Sequence, residues 1–162
     1  MKILSFEKEI SSQQAKPTTK TREATDMLLD YLATHPAAKV RFYASEMQIH
    51  IQSDAAYLIA PGAKSRVAGY FYLGRIKAPP LPPSTINAPI HVECKLLRHV
   101  VSSAAEAETA GIHHNCCTAL QLKQIIEALG HPQNPIEVVT DNSTAAMFST
   151  NNLKEKRSKS WD

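Results

Sequence analysis

Three carboxylates in this chain of 162 residues stand where a fold could gather them. Asp54 closes a strand of alternating pattern, Glu108 lies in the first turns of a long helical stretch, and Asp141 closes a short apolar strand. Strand ends and helix starts along one edge of a sheet can converge. Converging carboxylates repel one another unless a cation neutralises them, and hard oxygen donors select Mg2+ or Mn2+. Two such ions about 4 Å apart can activate a water and stabilise the leaving oxygen of a phosphodiester. A count of three acidic residues says little by itself, so the weight falls on the elements that would place them.

Other reactive groups compete less well. His113, His114, Cys116 and Cys117 are metal-ligand types, but successive helical residues point about 100° apart and do not converge on one ion. Glu106 is turned about 200° from Glu108 on a helix and is expected to face solvent. His50 is expected on a sheet face rather than in proton transfer, and Cys94 and Cys116 read as small buried apolar groups. Asn142 and Ser143, which follow Asp141, either contact a nucleic-acid backbone or cap the next helix. Lys154, Lys156, Arg157 and Lys159 either form a solvated face or track phosphates.

The elements can be read from periodicity. Residues 1–20 are polar and without pattern beyond a short apolar start, and are expected to be a mobile lead-in. Ala24, Met27, Leu28, Tyr31 and Leu32 form one apolar helical stripe, with Thr19 or Thr21 as cap and His35-Pro36 as stop. Residues 39–44 predict a strand. Residues 47–53 alternate, with Met47, Ile49 and Ile51 on one face and Gln48, His50 and Gln52 on the other. Residues 67–73 and 90–94 predict two more strands, separated by an extended proline-rich stretch at 78–83. From 102 to 129 the period becomes helical, through Ile112, Cys116, Ala119, Leu120, Ile125, Ile126 and Leu129, and Gly130 and Pro132 end it. Residues 136–140 are a strand, and a helix opens at Asn142-Ser143. The order predicts an α/β fold, a mixed sheet with flanking helices.

Composition agrees with that reading. Apolar residues make up 43% and charged residues 20%, as in globular domains. No run of about 18 apolar residues exists, so no membrane partner is expected. The N-terminal apolar stretch is too short for a signal peptide. Three cysteines without framework spacing predict an intracellular protein of cytoplasm or nucleus, not a secreted one. A net charge of +3 permits a polyanionic partner without demanding one.

Four local sequences occur in order: Ser53-Asp54-Ala55-Ala56-Tyr57, Ser65-Arg66-Val67-Ala68-Gly69-Tyr70-Phe71-Tyr72-Leu73-Gly74, Ser102-Ser103-Ala104-Ala105-Glu106-Ala107-Glu108 and Thr140-Asp141-Asn142-Ser143-Thr144-Ala145. Together they resemble the ribonuclease H domain of copia-type retrotransposon polyproteins, over roughly residues 20–162. The resemblance implies a connection segment of helix and strand at 21–45, following a reverse transcriptase portion of the same polyprotein. It implies a ribonuclease H-like domain at 46–162 that cleaves the RNA of RNA–DNA hybrids with two Mg2+ (or Mn2+) ions held by Asp54, Glu108 and Asp141. Asn142, Ser143, Lys156 and Arg157 would be candidates for nucleic-acid contact. The family's fourth carboxylate follows a fifth strand. This chain stops at Asp162, so the domain is expected to be C-terminally truncated, without the final strand and helix. That leaves an alternative expectation, a catalytically dead remnant that serves as a nucleic-acid-binding or interaction module.

Overall fold

The computed structural model describes residues 10–60, 62–75 and 86–149. Its backbone groups into two compact units, Met1–Arg41 and Phe42–Asp162. The first contains helix α1, Thr19–Thr34. Its cap is Thr18, one residue before the earlier of the two expected positions. The Thr18 hydroxyl accepts from the Thr21 N–H, and the Thr21 hydroxyl accepts from the Thr18 N–H. Two donors that the first turn leaves open are thus satisfied reciprocally. The helix stops at His35, whose N–H reaches the carbonyls of Tyr31 and Leu32, directly before Pro36. The apolar stripe forms, but Met27, Tyr31 and Leu32 are exposed.

The second unit holds a four-stranded mixed sheet in the order β3-β2-β1-β4. Its strands are β1 (Gln48–Ala60), β2 (Lys64–Gly74), β3 (Pro89–Leu96) and β4 (Glu137–Thr140). The first three form an antiparallel meander, and β4 pairs in parallel with β1. Among the described residues two helices flank the sheet, α2 (Ala104–Ala128) between β3 and β4, and α3 (Ser143–Ser149) after β4. A parallel pair needs a long crossover, and α2 supplies it.

Two expectations need correcting. Residues 39–44 do not form a strand. The Tyr43 N–H donates to the side-chain oxygen of Asn87 at 2.7 Å, and the Asn87 amide returns a bond to the Tyr43 carbonyl. A side chain thus satisfies the backbone groups that a sheet ladder would have used. Second, β1 does not end at Asp54 but runs to Ala60. Its pairing with β2 breaks between Ala56 and Ala60, where Leu58 takes φ 54° and donates its N–H to the Ser65 hydroxyl. A bulge of this kind lengthens one strand against its partner and leaves alternation beyond it unreadable.

The core lies between the sheet and α2. Ile49, Ile51, Phe71 and Leu73 pack against Ala119 and Ile126, and Val67 joins Leu97, Val101 and Ala107 nearer the start of the helix. The sheet-facing stripe of α2 is Glu108, Gly111, Asn115, Ala119 and Ile126, all buried. Of the apolar residues that marked the helical period, only Ala119 and Ile126 are buried, and Leu120, Ile125 and Leu129 are exposed, the last at 67%. Close approach explains this: a Cβ on Gly111 would stand only 3.3 Å from Cγ1 of Val67. Bulky residues along this line would push the helix off the sheet.

Phe71 is fully buried on the central antiparallel pair. Phe71→Ala should therefore lower unfolding stability by about 3–5 kcal/mol. Urea titration followed by circular dichroism measures it, and a loss below about 1 kcal/mol would mean that the core is not packed around this ring.

Candidate metal centre

Register brings two of the three carboxylates together. In the parallel pair, Ser53 stands opposite Thr140, the last residue of β4. The next residues along the chain are Asp54 and Asp141. Neighbouring strands lie about 4.8 Å apart, so two side chains leaving at equivalent positions are within reach of one ion. β1 continues where β4 has stopped, and the Ala55 N–H, past the last β4 pair, donates instead to Oε1 of Glu108 at 3.1 Å. The carboxylate of the helix thus takes over a backbone donor beyond the end of the partner strand.

Glu108 is placed by a firmly capped helix. The Ser103 hydroxyl accepts from the Glu106 N–H at 3.1 Å. Glu106 folds back, and its carboxylate accepts from the Ser102 N–H at 2.7 Å and the Ser102 hydroxyl at 2.5 Å. Glu106 is therefore 8% exposed rather than solvent-facing as its angle on the helix suggested. Its charge also lies at the positive end of the helix dipole.

Asp54, Glu108 and Asp141 each present an oxygen, and these atoms all lie within 4.8 Å of one another. Asp54 is half-buried, Glu108 is 6% exposed and Asp141 is exposed. Oε2 of Glu108 is buried with no hydrogen-bond partner among the described residues. Three hard anionic donors, one with an unanswered oxygen, form a possible acidic triad for a divalent cation such as Mg2+ or Mn2+. Burial pushes the Glu108 carboxyl up to about 7, with the Ala55 N–H opposing and the charges of Asp54 and Asp141 adding. Burial and the charge of Asp141 also raise Asp54. A divalent cation would reverse this balance, because it favours ionised ligands.

Oδ1 of Asn142 accepts from the Ala145 N–H at 3.0 Å, a cap for α3, and Ser143 is exposed at its first residue. Lys154, Lys156, Arg157 and Lys159, and the proline-rich stretch at 78–83, lie outside the described residues. His50 is a buried sheet-face residue, stacked on Tyr72, with Nε2 at 2.9 Å from the Arg75 carbonyl and Nδ1 at 3.3 Å from Glu137. Cys94 is buried, whereas Cys116 is half-buried and Cys117 exposed. His114 turns to Glu93, 3.4 Å away, which also meets Lys95 at 2.7 Å and Thr118 at 2.9 Å. Burial works against the Glu93 charge, but the Lys95 and Thr118 bonds hold its carboxyl below the usual range. Asn115, fully buried, and Ser53, nearly so, were not anticipated as part of the triad's support. Their one signal was spacing: Asn115 follows Glu108 by seven residues and so shares its face.

Comparison with protein-family models, with curated proteins and with solved structures finds no match to this chain.

The raised Glu108 carboxyl sets a pH dependence for the metal-free protein. The folded state holds this proton up to about pH 7 and an unfolded glutamate releases it near 4.5. Between those values the folded state binds more protons, so stability falls as pH rises through the window. Thermal melting in chelator should show Tm declining from pH 5 to pH 7.5. Glu108→Gln should flatten that decline and raise Tm at pH 7.5 by a few degrees. Parallel profiles for parent and variant would show that Glu108 does not carry the buried charge.

Proposed function

We propose that the chain is a ribonuclease H-type nuclease that hydrolyses the RNA strand of RNA–DNA hybrids with two Mg2+ or Mn2+ ions, within a retrotransposon polyprotein of copia type. The observation that carries this reading is the meeting of Asp54, Glu108 and Asp141 within 4.8 Å. They come from three separated stretches, each lying in one of the local sequences that resemble the family. The meander of β1 to β3, the helical crossover and the parallel β4 support the same reading. Bound divalent ions would supply Lewis acidity at the scissile phosphate and a water activated for attack.

The chain's own residues would act by holding position and charge. Asp54 and Asp141 approach from adjacent strands, and Glu108 closes the site from the helix. The Ala55 N–H fixes one oxygen of Glu108, and the other is buried without a hydrogen-bond partner of ordinary length among the described residues. Asp141 is the exposed member of the three, which leaves the site open to solvent there. Recognition would follow backbone shape and 2′-hydroxyls rather than base sequence. The partner within the polyprotein would be its reverse transcriptase portion.

A labelled RNA–DNA hybrid incubated in Mg2+ should be cut within its RNA strand, while duplex DNA and the same hybrid in chelator stay intact. Asp54→Asn should reduce cleavage at least about 100-fold, and it should leave metal-free melting unchanged or higher, since one of three repelling charges is gone. Cleavage unchanged in the variant would remove Asp54 from the site. Hybrid binding without any cleavage by the parent would favour the non-catalytic nucleic-acid-binding module.

A further inference from the structure

We propose that Asn115 is a positioning residue for the metal centre, locking the helix that carries Glu108 to the strand segments that hold Asp54. The inference rests on the metal-centre reading above. Asn115 is 0% exposed in the middle of α2. Its amide donates to the Ser53 hydroxyl at 2.8 Å and to the Ala68 carbonyl at 3.0 Å. Ser53 directly precedes Asp54, and Ala68 is the residue paired with Asp54 across β1 and β2. One side chain therefore grips both strands on either side of the first carboxylate. Glu108 lies about two turns earlier on the same face of the helix.

Two glycines make the grip tight. A Cβ at Gly111, between Glu108 and Asn115, would lie 3.3 Å from Cγ1 of Val67 and 3.5 Å from the Ser53 hydroxyl. A Cβ at Gly69 would lie 2.7 Å from the Phe71 ring and 2.9 Å from Cγ of Asn115, and would clash with Oδ1 of Asn115. Helix and sheet thus touch backbone to side chain along the stretch behind the triad.

The polar character of Asn115 needs a reason beyond packing. Its Oδ1 is buried and has no hydrogen-bond partner among the described residues. A buried acceptor left unmatched disfavours folding, and an apolar side chain would avoid that penalty. Apolar packing tolerates small slides and rotations of a helix, whereas two directional bonds to two strands do not. A metal centre needs this fixity, because its ligand distances are set within a few tenths of an ångström.

The test uses Mn2+ binding to the full chain without nucleic acid, read by electron paramagnetic resonance, beside metal-free melting. Asn115→Ala should weaken Mn2+ binding about tenfold. Ala119→Gly, one turn further along the same buried face, should lower Tm but leave Mn2+ affinity within about twofold of the parent. Ser53→Ala should weaken binding in the direction of Asn115→Ala, and Ser53→Thr, which keeps the hydroxyl acceptor, should restore it. If Asn115→Ala fails to fold, the Ser53 pair decides. Equal Mn2+ affinity in parent, Asn115→Ala and Ser53→Ala overturns the proposal. So does equal weakening by Asn115→Ala and Ala119→Gly, or by Ser53→Ala and Ser53→Thr. A parent chain that binds no Mn2+ overturns the metal centre itself, and the clamp falls with it.

Discussion

The parallel pairing of β4 with β1 governs the rest of the second unit. It fixes Ser53 opposite Thr140 and so delivers Asp54 and Asp141 as neighbours. It also demands a crossover helix, and that helix brings the third carboxylate. Shifting β4 by one residue would separate the two aspartates by a further 3.3 Å or so and turn one of them to the wrong face. The shortness of β4 matters as much as its register. Ending at Thr140, it leaves the Ala55 N–H to Glu108.

The electrostatic load of the triad is carried by burial and by backbone donors in opposition. Glu108 sits out of solvent and near two other carboxylates, which favours its neutral form, while the Ala55 N–H favours the ion. The result is a carboxyl poised near neutrality in the absence of metal. Support for its position comes from the helix N-terminus, where the Ser103 hydroxyl accepts from the Glu106 N–H and the Glu106 carboxylate accepts from Ser102, and from the packed line of Gly111 and Asn115 further along.

Much of this was legible in the sequence. Alternation at 47–53 marked β1, the change of period after residue 102 marked α2, and Asp54, Glu108 and Asp141 stood out by placement. Three features escaped for physical reasons. The bulge at Leu58 breaks the period of two, so the true length of β1 could not be counted. The inner face of α2 is built from small and polar residues because the helix lies close, and a search for apolar periodicity selects several outer residues instead. Residues 39–44 have strand-like composition, but Asn87, distant in sequence, answers the backbone of Tyr43.

Among the described residues β3 and β4 are the two edge strands of the sheet, and an edge strand can recruit another chain. Glu93 is nearly buried on β3, aimed toward α2, and Lys95 beside it is exposed. Lys95 places an exposed charge on this edge strand, a feature that disfavours pairing with a further strand. Held by Glu93, that charge works against edge-to-edge pairing of one β3 with another.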